Sequence, residues 1–344
     1  MKKNPAGSEL GIVPKSVRKL SLKNHFDKIA PDLQKVDARI RQQAEFFDPG
    51  IAGYVQYATE TGGKRIRPAL VFLSARASGG AKESHMELAV IVELIHLASL
   101  IHDDVLDNAQ IRRALPTMNA KWGTEISVLL GDCLFAHALK LCTRFDDNQI
   151  CRTIADAANE VCTGEILQTQ RRFDLKLSVP DYTRIINMKT AALFRISSEL
   201  AAALNGVSES DRHVYRVYGE TLGLAYQIYD DCLDLFGTES GSGKTLGTDL
   251  KKGKLTLPVL HMLQQLDAKG LEEVSEALLH GTETDHQFLA ARVVRMGGLT
   301  YAIRKAQEHL EKAHRMLQGL PENEYLHVLK SIVRTFVDEL EGMK

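Results

Sequence analysis

No two cysteines stand in a C-x-x-C spacing, no stretch approaches eighteen apolar residues, and neither sign of charge prevails, since 43 Lys and Arg face 44 Asp and Glu for a net charge of -1. Each absence closes a class of function. Five cysteines without pairing spacings, an odd number in 344 residues, read as reduced thiols in a cytoplasmic compartment, most of them small core residues. A chain without a long apolar run is expected to have no transmembrane segment. Balanced charge removes any global electrostatic case for binding nucleic acid or a membrane surface. Function must therefore come from a local site.

Alternating β-branched runs are also scarce. From about Leu22 onward the periodicity is helical, in long segments rich in Ala, Leu, Glu, Lys and Arg. The expectation is an all-α fold, a single-domain antiparallel helical bundle over residues 23–344 with its site in the interior. Residues 1–22 read as a basic tail. The first 24 residues hold six Lys or Arg against one Glu but lack the apolar core of a secretory signal, and an organellar-targeting role stays open. Gly79-Gly80 closes one helix, Pro116 follows another, and Ser178-Val179-Pro180-Asp181 has the pattern of a capping box opening the helix that carries Lys189-Thr190. Residues 237–247, rich in Gly and Ser, read as a loop over a site.

Against this background two acidic clusters stand out, Asp103-Asp104-Val105-Leu106-Asp107 and Asp230-Asp231-Cys232-Leu233-Asp234, each at the end of an apolar helical segment. Aspartates four apart on a helix share a face, about 5–6 Å between their β-carbons, and repel each other. Burial would discharge them unless positive partners are supplied. Hard divalent ions suit such oxygen donors, and magnesium completes its coordination with water and substrate phosphate oxygens. Two facing clusters thus point to a phosphate-bearing substrate clamped between helices.

Cations cluster around the same stretches. Gly62-Gly63-Lys64-Arg65-Ile66-Arg67-Pro68 reads either as a diphosphate cradle, with Lys64 and Arg67 at i and i+3, or as a loop and a solvated helix start. Arg112-Arg113 follows the first cluster closely enough for one arginine to face a metal-bound diphosphate while the other turns to a neighbouring anion. Gly219 and Gly223 lie on the face of the second cluster, which implies a bulky ligand or a closely packed helix. Gly243-Lys244-Thr245 is no P-loop, because position 238 is Thr and no strand precedes it. Lys244 and Lys254 instead suit a cationic lid. His102-Asp103 with His96 could suggest a metal phosphohydrolase, but that leaves the second cluster and the arginine pair unexplained.

In order, GGKRIRP, HDDVLD followed by RR and PT, Lys189-Thr190, YQIYDDCLD and GK-x-x-G-x-DL-x-x-GK-x-TLP resemble the long-chain trans-polyprenyl diphosphate synthases, relatives of the farnesyl and geranylgeranyl diphosphate synthases. The resemblance covers about Gly62 to Pro258. It implies a homodimer that condenses isopentenyl diphosphate with an allylic prenyl diphosphate, using Mg2+, three ions per site. Lys64, Arg67, His96 and Arg113 would bind isopentenyl diphosphate. Arg112, Lys189, Thr190, Gln227, Lys244 and Lys254 would surround the allylic diphosphate. Asp103, Asp107 and Asp230 would be magnesium ligands, with Asp104, Asp231 and Asp234 supporting them. Ala114 and Tyr226 depart from the glycine and phenylalanine usual in the family.

By the same resemblance, the residues four and five before the first aspartate help floor the chain-binding cavity. Here they are Ser99 and Ala98, about 6–7.5 Å below Asp103 on a helix. Small residues there imply a product of hexa- to decaprenyl length, with a deeper floor set by Phe135 or the Leu94 to Ile91 turn. The competing readings are a shorter-chain synthase, a subunit of a heteromeric synthase, and a terpene cyclase, which would not need the second cluster or the Lys64, Arg67 and Arg113 set.

Overall fold

The computed structural model describes residues 22–60, 62–236 and 247–343, so Lys244 and residues 1–21 of the basic tail lie outside the described residues. In order run α1 (Ala30–Gln42), α2 (Pro49–Glu60), α3 (Ile66–Ala77), α4 (Glu83–Leu106), a hairpin of β1 (Ile111–Arg112) and β2 (Leu115–Pro116), α5 (Met118–Cys142), α6 (Asn148–Gln170) and α7 (Val179–Ile186). A π-helical turn (Asn187–Ala191) leads into α8 (Ala192–Ala203), then α9 (Glu209–Phe236), α10 (Thr248–Lys251), α11 (Leu257–Leu263), α12 (Ala268–His280), α13 (Glu283–Arg295), α14 (Gly298–Met316) and α15 (Glu324–Glu341). The all-α expectation holds, the hairpin being its one departure among the described residues.

Helix α4 forms the axis. Leu88, Ala89, Val90, Ile91, Val92, Leu94, Ile95 and Ala98 are fully buried against α3, α5 and α8. Each large aliphatic among them contributes about 2 kcal/mol of transfer free energy. The expectation that nothing reaches membrane length needs correction here, because Glu83–Leu106 is long and apolar enough to cross a bilayer. Its apolar surface is instead spent on neighbouring helices, 67% of the relevant window being buried. The helix stops where Asn108 takes the left-handed conformation, φ 47°.

The second axis is α9, against α8 and α14. A β-carbon on Gly219 would stand 2.4 Å from the Phe194 carbonyl oxygen, and one on Gly223 would stand 2.7 Å from the Ala191 α-carbon. Of the two meanings open for these glycines, helix packing is the one observed. Both residues let α9 touch the start of α8, which places the π turn beside the second cluster.

Ser178 caps α7 as its sequence suggests, its Oγ accepting from the Asp181 N–H at 3.2 Å. The reciprocal half of the box differs. Ser178 Oγ donates to Asp181 Oδ2 at 2.7 Å, so the carboxylate takes the hydroxyl rather than the cap's backbone amide.

Candidate active site

Helices α4 and α9 deliver their aspartates at their C-terminal ends, where the helix dipole already disfavours negative charge. Cations meet the first cluster. Arg112 Nε lies 2.8 and 3.0 Å from the two Asp104 oxygens, and Asp107 receives Arg172 at 2.8 Å, Lys254 at 2.8 Å and Lys252 at 3.2 Å. Asp103 stands 3.6 Å from Lys189, which also donates to Gln168 at 2.8 Å and pairs with Glu165. Burial raises the Asp104 carboxyl, and Arg112 offsets this only in part. Burial acts on Asp107 too, but Lys254 and Lys252 outweigh it and hold the carboxyl below its ordinary range.

The second cluster is held differently. Asp231 is buried and accepts from the Tyr182 hydroxyl at 2.5 Å and Gln227 Nε2 at 2.7 Å. Asp234 accepts from the Thr248 hydroxyl and the Asp249 N–H, both at 3.0 Å. Neutral donors do not offset burial: Asp231 is pushed well up, Asp234 is raised, and Asp249, crowded by Asp234, reaches about 6.

Short links join the two walls. Lys254 Nζ lies 2.8 Å from Asp107 and 3.9 Å from Asp249, whose own N–H reaches Asp234. Lys189 contacts Asp103, and the adjacent Thr190 hydroxyl donates to Gln227 Oε1 at 2.7 Å while Gln227 holds Asp231. The π turn carries both residues to this spot. Gly164 of α6 permits it, since a β-carbon there would stand 2.6 Å from the Lys189 backbone nitrogen. The two clusters are therefore brought together, joined by the chains Asp107–Lys254–Asp249–Asp234 and Asp103–Lys189-Thr190–Gln227–Asp231. Among the described residues no three acidic, His or Cys side chains converge on a single point, because the carboxylates of the first wall are turned to cations.

Arg112 and Arg113 diverge, as their adjacency suggested. Arg112 ends β1 and Arg113 opens the two-residue turn, in which Arg113 and Ala114 have φ 52° and 64°, the positive pair of a type I′ hairpin. Arg112 turns to Asp104, and Arg113 donates to the Gly62 carbonyl. Arg67 lies over the Phe194 ring, 5.0 Å from its centroid, with its Nε buried and unpaired. Burial, then the nearby Arg67 and Arg113, keep the His96 imidazole well below 6.5, so it sits here as a neutral donor and acceptor. A small cavity lined by Arg65, Glu93, His96 and Arg113 marks the place. Lys64 begins this stretch and is exposed. Arg65, on the wall of the same cavity, is bonded to Asp37 at 2.6 Å and Glu93 at 2.5 Å. The loop thus brings Arg67 and Arg113 near His96 and leaves Lys64 exposed.

Ala98 is fully buried and Ser99 donates to the His96 carbonyl at 2.8 Å. Phe135 stacks on His102 at 5.9 Å between ring centroids, level with the first cluster rather than with the Leu94 to Ile91 turn. His102 itself contacts the Val128 carbonyl at 3.1 Å, away from any metal-like grouping.

Several members of the site escaped sequence reasoning: Glu165, Gln168, Arg172, Tyr182, Asp249 and Lys252. Asp249 and Lys252 lay inside a motif already noted. The Glu165 and Gln168 spacing of i, i+3 on a polar helix carried no signal of its own.

Residues 48–294 match the model of the polyprenyl synthetase family. The chain belongs to that family. It is 36% identical to an octaprenyl diphosphate synthase of Haemophilus influenzae over 317 residues, 92% of this chain and 96% of that protein. It is 35% identical to component 2 of a heptaprenyl diphosphate synthase of Geobacillus stearothermophilus, over 91% of this chain and 97% of that one. Among solved structures it resembles a polyprenyl synthase of Caulobacter crescentus complexed with calcium and isoprenyl diphosphate. The TM-score is 0.85, at 32% identity over 94% of this chain and 99% of that one. As a polyprenyl synthetase the chain is a prenyltransferase acting on isopentenyl and allylic diphosphates, and its family uses divalent metal.

Proposed function

We propose that the protein builds a long all-trans prenyl diphosphate, of hexa- to decaprenyl length, by adding isopentenyl diphosphate to an allylic diphosphate. The observation that carries this reading is the pair of aspartate walls on α4 and α9, linked through Lys254 and Asp249 and through Lys189-Thr190 and Gln227, with Arg112 on the hairpin side. Hard carboxylate oxygens fit magnesium, and positive charge already sits against them. Asp103, Asp107 and Asp230 would hold the metal, with Asp104, Asp231 and Asp234 fixed behind them; three ions are proposed. Bound magnesium would neutralise charge developing on the diphosphate leaving group.

The remaining work falls to the chain. Arg112, Lys189, Thr190, Gln227, Lys244 and Lys254 would surround the allylic diphosphate and stabilise its departing oxygens. Lys64, Arg67, His96 and Arg113 would hold isopentenyl diphosphate so that its double bond attacks the allylic cation, and the departed diphosphate would take the proton then lost. The apolar interior around Leu97, Leu100 and Ile101 excludes water from that cation. Ala98 and Ser99 would let the growing chain pass beneath Asp103.

Residues 23–344 are proposed as one catalytic domain, supported by a continuous apolar core from Leu22 to Met343. Association as a homodimer is supported by α5, whose Val128, Leu129 and Leu139 are 37%, 60% and 41% exposed on one face. The five unpaired cysteines favour a cytoplasmic location. A second reading, a subunit needing a partner, is favoured by the likeness to a protein named as a component. Incubating the purified chain with labelled isopentenyl diphosphate, farnesyl diphosphate and Mg2+, then sizing the lipid, decides between them. Long products from the chain alone support the main reading, and inactivity rescued by a partner supports the second. Ala98→Phe then tests the floor: products as long as before would remove Ala98 from the chain's path.

A further inference from the structure

Resting on the diphosphate-binding reading above, we propose that Arg172 and Lys252 are further positioning residues for the allylic diphosphate, parked on Asp107 until that ligand arrives. The charge balance at Asp107 is uneven. Its Oδ1 accepts from Arg172 at 2.8 Å, and its Oδ2 faces both Lys254 at 2.8 Å and Lys252 at 3.2 Å. Lys254 is shared with Asp249 at 3.9 Å, which leaves Arg172 and Lys252 both resting on the single Asp107 carboxylate. Like charges so close repel, so a purely structural ion pair has no use for both.

The fold brings the three together deliberately. Phe173, at φ 61°, donates its N–H to the Gly253 carbonyl at 2.8 Å. Its ring lies 2.5 Å from where a β-carbon on Gly253 would stand, so only glycine lets the end of α6 dock on the 252–254 turn. That docking sets Arg172 beside Lys252 and Lys254. Among the described residues the neighbouring acids are already engaged, Glu165 by Lys189 and Asp249 by Lys254 at 3.9 Å, and no ion pair joins Arg172 or Lys252 to an acid other than Asp107. Arg172 also keeps a donor in reserve, its Nε being buried without a hydrogen-bond partner.

A polyanion with several oxygens is what this arrangement lacks. Forked arginine donors and a mobile ammonium are suited to a diphosphate. With Asp107 engaged by the family's divalent metal, all three cations would lose their carboxylate, and the diphosphate would be their next partner. Arg172 and Lys252 thus oppose metal binding alone and favour the metal-diphosphate complex.

Calorimetric titration separates these effects by sign. Mn2+ alone, and inorganic diphosphate in the presence of Mg2+, are titrated into the full-length wild type, Arg172→Gln, Lys252→Gln and Arg172→Lys. For the two glutamine variants we expect Mn2+ alone to bind about 3-fold more tightly, since a half-buried charge competing for Asp107 is gone. Diphosphate with Mg2+ is expected to bind about 10-fold more weakly, the loss of one charge-assisted hydrogen bond. Arg172→Lys, which keeps the charge without the fork, falls between, and KM for isopentenyl diphosphate is unchanged in all. Both affinities falling together, or neither moving, would overturn the assignment and leave these as structural residues. A wild type that binds no diphosphate at all would overturn the family-based reading of the site, and the assignment with it.

Discussion

Two copies of the same acidic pattern sit in opposite electrostatic surroundings. Around Asp103, Asp104 and Asp107 stand Arg112, Arg172, Lys189, Lys252 and Lys254. Asp231 and Asp234 accept hydrogen bonds from a phenol, an amide, a hydroxyl and a backbone N–H. The first wall is already neutralised and must exchange its cations to bind anything else. Asp231, Asp234 and Asp249 instead have raised carboxyls, with burial the largest cause. A DDxxD pattern therefore specifies the donor atoms but not their surroundings. On the proposed function, the second wall would gain most from a divalent cation, and the first would hand its cations to a diphosphate.

The largest effect would come from removing one carboxylate of each wall. Asp103→Asn and Asp230→Asn are each expected to slow prenyl transfer by about 10²–10³-fold, the usual cost of losing a preorganised electrostatic contact. Steady-state kinetics with saturating isopentenyl and farnesyl diphosphates reads this. Should one substitution leave turnover near wild type, the two walls would not share the reaction, and the comparison would reduce to one working cluster and one structural one.

Stability in chelator distinguishes the walls more sharply, because the two signs differ. Asp107 has a depressed carboxyl, so its ionised form stabilises the fold above the unfolded value of 3.8, and that contribution is lost as pH falls through the folded value. Asp107→Asn is expected to cost about 1–2 kcal/mol at pH 7.5, since Arg172 and Lys252 then lose their carboxylate and Lys254 keeps only Asp249. Asp249 has a raised carboxyl, about 6, so its cost to stability sets in as pH rises above the unfolded value of 3.8, is fully present above the folded value, and is absent only below 3.8. Asp249→Asn is expected to stabilise the metal-free protein by about 1 kcal/mol at pH 7.5 and to have little effect only at about pH 3.5. Denaturant unfolding of both variants at the two pH values provides the check. The same sign for both would mean that the walls do not differ as described.

How much of this was legible beforehand follows from where each residue lies along the chain. Lys189-Thr190 stood out only through the family resemblance, whereas the clusters, the arginine pair and the Ser178 cap are local patterns, readable from spacing. Arg172 was not, because its role depends on the left-handed Phe173 docking α6 onto Gly253, a contact across eighty residues. Tyr182 was missed for the same reason: its hydroxyl reaches Asp231 across 49 residues of sequence. Gly219 and Gly223 showed close approach without showing what approached. The α4 helix misled in the other direction, since interspersed polar residues hid an average hydropathy sufficient for a membrane span, and only its burial identifies it as a core helix.

The hairpin supplies the smallest test and explains a departure from the family pattern. Arg112 reaches the first wall only because the chain reverses within two residues, and the second wall has no such turn among its described supports. Ala114 occupies φ 64°, a conformation in which a β-carbon costs about 1 kcal/mol and glycine costs nothing. Ala114→Gly is therefore expected to stabilise the folded chain by somewhat less than about 1 kcal/mol, because glycine also loses more freedom on folding. If alanine serves to stiffen the turn that aims Arg112 and Arg113 apart, the same substitution should raise KM for both diphosphates slightly while Asp249→Asn leaves the isopentenyl KM untouched. A stabilised variant with both KM values unaltered would show that the strain at Ala114 does nothing for the first wall, and that Arg112 is held by Asp104 alone.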